Sequence, residues 1–314
     1  MRILLTGATG FIGQALLNEL LGKEHEVIAV KRKLATGRAG GDSDFLVADI
    51  SANNDWLPAL QGVEAVIHAA ARAHVMNDTV TDPLAEFRKV NVEGTLNLAR
   101  QAAAAGVKRF IFISSIKVNG EATSPGKPFL VSDVPAPEDA YGLSKLEAER
   151  GLLQIAAETG LEVVIIRPPL VYGPGVKGNF ASMTRLVEKG LPLPLGAIHN
   201  RRSLVGIDNL VALIIRCIDH PAATNQIFLA GDAEDLSTTQ LLRGVARAMG
   251  RPSRLIAVPA GLLKGGAMLL GKRTLAQRLL GSLQVDIAHT CELLDWKPPF
   301  TVDEGLRRCF AKPD

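Results

Sequence analysis

Cysteine is scarce in this chain. Cys217, Cys291 and Cys309 are the only three among 314 residues, an odd number placed far apart. They form neither a disulfide framework nor a metal-ligand spacing, so a reducing compartment and a buried filler role are expected. The six histidines show no paired helical spacing, and no metal site is expected from them. Excess charge of one sign is also absent. Lys and Arg number 35 against 32 Asp and Glu, a net charge of +3, and the basic residues are scattered. That excludes the electrostatic footprint of a nucleic-acid binder. Long apolar runs are missing too. The most apolar late segment, residues 259–280, is interrupted by Lys264, Lys272 and Arg273, so no transmembrane segment is expected. A buried amphipathic helix is expected there, ahead of a membrane-surface or partner-binding one. The chain opens on MRILLTG without a charged region before an apolar core, so a cytoplasmic protein is expected rather than a secreted one.

What is present is a globular composition, 47% hydrophobic and 21% charged, long enough for one large core or two modest ones. Over the first 170 residues short apolar runs alternate with helical patterns. RILLT, HEVIAV, DFLVADI, VEAVIHAAA, KRFIFISS and LEVVIIRP read as strands. FIGQALLNELLG, a short stretch near Trp56, and residues 83–105 and 137–159 read as helices. This predicts an α/β fold with a Rossmann-type, doubly wound parallel sheet covered on both faces. After Arg167-Pro168 proline and glycine become dense and the rhythm breaks. The expected division is a dinucleotide-binding domain over 1–170, with some later segments returning to it, and a smaller mixed α/β substrate lobe over 171–314.

TGATGFIG lies where the first strand becomes the first helix. Gly7 permits the sharp turn, Gly10 clears the approach of a pyrophosphate, and Gly13 lets helix and sheet pack closely. The backbone at Phe11 and Ile12 opens the helix and offers it to phosphate. The second strand ends in VIAVKRK. Lys31, Arg32 and Lys33 stand where a carboxylate would bind an NAD ribose, which puts NADP(H) ahead of NAD(H), with Arg32 toward the 2′-phosphate. Asp49, after the third strand, is a candidate for the adenine amino group.

YGLSK places Tyr141 and Lys145 one helical turn apart, on one face. A phenol titrates near ~10 in water, and a neighbouring ammonium brings it toward neutral working pH. Tyr141 is therefore the candidate proton carrier for a sugar or alcohol hydroxyl while hydride passes to or from a nicotinamide. KRFIFISS supplies a serine at the end of the intervening strand.

With TGATGFIG, Asp49-Ile50, HAAA, NVEGT, ISSIKVNG, YGLSK and RPPLVYGPG in this order, the chain resembles the extended short-chain dehydrogenase/reductases. Within them it is most similar to nucleotide-sugar epimerases, dehydratases and reductases. The resemblance covers nearly the whole length and implies the roles that follow. Ser115 hydrogen-bonds the reacting oxygen, Tyr141 is acid/base and Lys145 its partner, while Ser114 packs or touches cofactor. Ile50, Ala69, Ala70, Ala71, Asn91, Pro168 and Leu170 line or support the cofactor, with Tyr141 and Lys145 against its nicotinamide end. Arg72, Lys117 and Asn119 face substrate, and Arg202, in NRRSLVGIDNL, and Asn179, in GNF, hold the diphosphate of a UDP-sugar. A homodimer through the helices after the fourth and fifth strands is also implied.

Dehydratases of this group need an acidic pair after the serine, and Ile116-Lys117-Val118 lacks it. Epimerases usually carry a small residue in place of Lys117, a tyrosine in place of Asn119, and an acid in place of Arg32. The expected activity is therefore reduction of a UDP-2-acetamido-2,6-dideoxy-4-keto-hexose for surface polysaccharide. A UDP-glucose or UDP-N-acetylglucosamine 4-epimerase with tightly bound NAD is the alternative. A non-catalytic dinucleotide-binding sensor is remoter, since the Tyr141–Lys145 pair is intact.

Overall fold

The computed structural model describes residues 1–32, 44–73, 81–271 and 273–311, with backbone alone at 179 and 273–275. Seven strands form the main sheet: Arg2–Thr6 (β1), Glu26–Arg32 (β2), Asp44–Val47 (β3), Ala65–His68 (β4), Arg109–Ile113 (β5), Glu162–Arg167 (β6) and, later, Ile227–Leu229 (β9). All pairings are parallel and the order is β3-β2-β1-β4-β5-β6-β9. The expected doubly wound sheet is what forms.

Its strands are apolar through their middles, with polar residues mainly at their ends, because both faces are covered. Ile3, Leu5, Ile67 and Ile111 point to one face, toward Leu16 and Leu20 of α1 (Phe11–Gly22) and the apolar side of α7 (Ile207–Asp219). The alternating residues Leu4, Val66, Phe110 and Phe112 point to the other. There they meet α2 (Leu57–Leu60), α4 (Thr95–Ala104) and α5 (Ala140–Thr159). These strand side chains are fully buried, each contributing about 1.5–3 kcal/mol over exposure.

The helix expected over 83–105 is interrupted. It runs as α3 (Pro83–Arg88), a wider π-helical stretch over Lys89–Gly94, and then α4. A Cβ on Gly94 would lie 2.6 Å from Ile50 Cγ2, so this stretch closes onto the β3 exit at a residue without a side chain. π-Helical insertions of this kind often mark functional sites.

A three-stranded sheet, β10-β8-β7, carries the second part of the chain: Leu170–Tyr172 (β7), Arg202–Gly206 (β8) and Asp235–Leu236 (β10). It packs with α6 (Asn179–Glu188), α8 (Thr238–Ala248) and α12 (Val302–Phe310) around Tyr172, Phe180, Leu204 and Val245. Ser237 and Thr301 form capping boxes that start α8 and α12. The last helices are α9 (Ala260–Leu269), α10 (Arg273–Leu280) and α11 (Ala288–Leu294). The expectation of a buried amphipathic helix over 259–280 is not met in α9, where no residue is buried. Lys33 and Lys272 lie outside the described residues. Among the described residues no helix is long and apolar enough to cross a membrane.

Candidate active site

The order of the main sheet reverses between β1 and β4, so their carboxyl ends diverge and leave a crevice. The glycine loop occupies that point. Gly7 has φ +71, and a Cβ there would lie 2.8 Å from Ala70 N. A Cβ on Gly13 would lie 2.0 Å from the Gly7 carbonyl oxygen. Gly7 thus lets the loop close on the Ala69-Ala70 backbone, and Gly13 lets α1 close on the loop. Gly10 caps α1 without a side-chain hydrogen bond, leaving the helix N-terminus, with Phe11 and Ile12 half-buried beside it, to an anion. This cradle fits a dinucleotide pyrophosphate.

Below the cradle, β1 and β4 are joined through side chains. Thr6 Oγ1 is 2.7 Å from His68 Nδ1, and His68 Nε2 is 2.9 Å from Thr95 Oγ1 on α4. Thr6 Oγ1 also accepts from Ala70 N at 3.3 Å. Burial, with Lys145 adding to it, pushes the His68 imidazole down to about 3, so it is neutral at working pH. His68 has none of the paired spacing of a metal ligand. The usable signal was a polar residue in the last, fully buried position of an apolar strand.

At the cofactor's adenosine end, Asp49 is exposed and accepts from Ile50 N at 2.9 Å, while Ile50 is buried. Lys31 Nζ lies 2.7 Å from Asp44 Oδ2, so this lysine is neutralised by β3. Arg32 is exposed at the end of β2.

The two serines after β5 separate clearly. Ser114 is buried and donates to Glu149 on α5. Glu149 also receives Arg167 Nη2 at 2.6 Å, and Arg167 Nη1 reaches Asn119 Oδ1 at 2.9 Å. Asn119 is 3% exposed and its amide nitrogen donates to Leu130 O. Expected to face substrate, Asn119 is instead used at both ends inside the protein. Glu149 continues the Tyr141–Lys145 spacing by one more turn, a signal that the sequence pattern held.

Ser115 is half-buried, and its hydroxyl oxygen accepts from Lys117 N at 3.3 Å, capping the short turn Ile116–Val118. Ile116 N donates to Pro168 O at 3.0 Å, which ties this turn to the end of β6, just before half-buried Leu170. Lys117 was expected to face substrate as well. Its ammonium is bonded to Asp139 and, at 2.7 Å, to Glu121. Burial lowers the Lys117 pKa, but these two carboxylates outweigh it and the net shift is upward. Asp139 caps α5 by accepting from Gly142 N at 2.7 Å. A Cβ on Gly142 would lie 2.7 Å from Lys117 O, so the glycine after Tyr141 is what lets α5 start against the serine turn.

Lys145 is 1% exposed and donates from Nζ to Ile113 O at 2.8 Å, with its ammonium 4.2 Å from the Phe112 ring centroid. Burial pushes Lys145 down to about 7, Glu149 opposing. Tyr141 stands edge-on to Phe87, ring centroids 6.0 Å apart. Burial, then the negative charge of Asp139, pushes its phenol up. Ser144 donates to Tyr141 O at 2.8 Å and accepts from Asn91 Nδ2 at 3.0 Å. Asn91, in the π-helical stretch, also grips the Arg72 backbone at both N–H and C=O. Ser115, Tyr141, Lys145, Asn91 and Arg72 are thereby linked at the carboxyl ends of β4 and β5. Arg202 lies apart, on β8. Burial pushes its guanidinium down, it donates to Gly281 O at 3.1 Å, and no carboxylate pairs with it among the described residues. The Asn179 side chain lies outside the described residues.

Residues 3–231 match the NAD dependent epimerase/dehydratase family. A Vibrio cholerae protein named UDP-glucose 4-epimerase is 52% identical over 98% of this chain and 93% of its own. A Mycolicibacterium neoaurum 3-beta-hydroxysteroid dehydrogenase is 29% identical over 98% and 90%. The solved structure of UDP-glucose 4-epimerase with UDP-glucose from Thermotoga maritima superposes with TM-score 0.78 at 25% identity, covering 98% of this chain and 97% of that one. The chain belongs to the NAD dependent epimerase/dehydratase family, among the extended short-chain dehydrogenase/reductases its motifs resemble.

Proposed function

We propose that the chain is a UDP-hexose 4-epimerase, interconverting UDP-glucose or UDP-N-acetylglucosamine with its C4 epimer. The similarity to the Vibrio cholerae protein named UDP-glucose 4-epimerase carries this reading. It reverses the order expected from the sequence, which put a 4-keto reductase first. Two of the residues behind that order have other duties. Lys117 is held by Asp139 and Glu121, and Asn119 by Arg167 and Leu130, so neither is then a marker of reaction type. The third, Arg32, is exposed at the end of β2, next to Lys31, which Asp44 holds.

In this reading residues 1–170 with β9 hold NAD(H), and residues 171–314 mainly hold the UDP-sugar. Arg202, a half-buried cation without a carboxylate among the described residues, meets the diphosphate, with Asn179 beside it and Arg72 toward the sugar. Ser115 donates a hydrogen bond to the C4 oxygen. Tyr141 takes the C4 hydroxyl proton and later returns it, and Lys145 keeps positive charge next to the phenol. When bound, the nicotinamide supplies hydride acceptance and return. A phenol that burial holds protonated in the free protein is lowered only when positive charge arrives beside it, which couples proton transfer to an oxidised cofactor. The enzyme works as a cytoplasmic homodimer through α4 and α5.

The test is product analysis. UDP-glucose and UDP-N-acetylglucosamine are each given to the purified protein and to Tyr141→Phe. Epimer formation by the wild type, reduced about a hundredfold or more by Tyr141→Phe, supports the proposal. Equal turnover by the variant contradicts it.

A further inference from the structure

α9 is an apolar helix that packs against α10 yet leaves most of its side chains exposed. Its sequence is AGLLKGGAML, and none of its ten residues is buried. Leu262 is 69% exposed, Met268 58% and Leu269 91%, with Leu270 just beyond at 72%. A helix that is hydrophobic around most of its surface is ordinarily buried. Exposed apolar side chains continue upstream at Ile256, whose N–H donates to Leu193 O at 2.8 Å, and at Leu191. Large apolar side chains left exposed together on one helix mark an interaction surface.

The charge around it indicates what the surface meets. Residues 236–285 contain eight lysines and arginines and no aspartate or glutamate, in a chain whose net charge is only +3. Arg251, Arg254, Lys264 and Arg278 are exposed, and among the described residues none of them pairs with a carboxylate. Among the described residues the side chains of Arg251 and Arg254 donate only to backbone carbonyls, those of Glu188 and Gly190. A second copy of this chain is a poor occupant. A two-fold interface would set this face against itself, cation against cation. Ten residues of α9 span only about 15 Å, half of a hydrocarbon core, so the helix lies on a bilayer rather than through it.

We propose that α9 and its flanking arginines and lysine form a peripheral docking surface for an anionic lipid bilayer. Leu262, Met268, Leu269 and Leu270 enter the headgroup boundary, while Lys264, Arg254 and Arg278 lie among lipid phosphates. The surface lies within the proposed substrate lobe: α10 leads into Gly281, whose carbonyl accepts from Arg202. Docking does not depend on which sugar nucleotide is turned over, so it stands or falls separately from the proposed function.

The experiment is co-sedimentation of the full chain with vesicles of mixed phosphatidylglycerol and phosphatidylcholine, and with phosphatidylcholine alone, at low and moderate salt. The expected result is binding to the anionic vesicles about tenfold tighter than to the neutral ones and weakening as salt rises. Met268→Ser with Leu269→Ser, and separately Arg254→Glu with Lys264→Glu, should each weaken it about tenfold. Both pairs are exposed, so circular dichroism and turnover of a soluble sugar nucleotide should match wild type. Absence of binding to anionic vesicles at low salt overturns the proposal, as does equal binding by the variants. A dimer in sedimentation velocity that Met268→Ser with Leu269→Ser dissociates, without vesicle binding, assigns the face to a second copy instead.

Discussion

The ammonium of Lys117 is bonded to the carboxylate of Asp139, and Asp139 caps the helix that carries Tyr141. Lys117 also donates its backbone N–H to the Ser115 hydroxyl. One residue therefore fixes the serine turn against the start of the tyrosine helix. Lys117→Met should lower kcat about ten- to a hundredfold with little change in KM, because it loosens the spacing of the reacting groups rather than a substrate contact. Asp139→Asn keeps the cap but removes the charge and should give a milder loss of the same kind. Steady-state kinetics decides. A raised KM with kcat intact would return Lys117 to the substrate-facing role expected from the sequence.

Glu149 and Arg167 form an ion pair with side chains 2% and 3% exposed. Removing one partner leaves the other charge buried and unpaired, at a cost of about 3–5 kcal/mol. Arg167→Met and Glu149→Gln should each destabilise by that order in urea unfolding. The double variant should lose clearly less than the sum. Strict additivity would show that the two side chains act independently.

His68 is held neutral between Thr6 and Thr95, with its pKa pushed down to about 3 from the ordinary 6.5. Between those values the unfolded chain binds a proton that the folded chain refuses. Stability contributed by the neutral ring is therefore full above pH 6.5 and lost as pH falls toward 3. The loss by pH 5 is on the order of 2 kcal/mol. His68→Gln should show a flatter stability profile between pH 7 and 5, measured by urea unfolding at each pH. An unchanged slope would mean that other groups set the acid response.

Among the described residues Arg32 is the exposed cation left at the end of β2, because Lys31 is occupied by Asp44. Fluorescence titration should show NAD binding at least as tight as NADP. Arg32→Ala should weaken NADP about tenfold and NAD little. Tighter NADP binding by the wild type would revive the cofactor preference first read from VIAVKRK.

Much of this was legible in the sequence. The sheet strands are continuous apolar runs because both faces are covered, so LEVVIIRP and KRFIFISS announce themselves. The glycine loop was legible because each glycine answers a close approach that only backbone geometry permits. The sequence did not reveal how polar side chains share partners across distant segments. Asn119 and Lys117 read as substrate-facing since they follow the serine, yet Arg167 and Asp139, far along the chain, claim them. Gly94 gave no sign of the π-helical stretch, whose reason lies at Ile50. The apolar content of residues 259–280 implied burial, and Leu280 is buried, but no residue of α9 is, since burial requires covering neighbours that composition alone does not supply.

The most direct test follows deuterium placed at C4 of UDP-glucose. With the purified protein and no added reduced cofactor, the account predicts UDP-galactose that retains deuterium at C4, with no net accumulation of NADH. One-way oxidation of NADPH by a UDP-4-keto sugar, without any interconversion of the labelled UDP-hexoses, would contradict it.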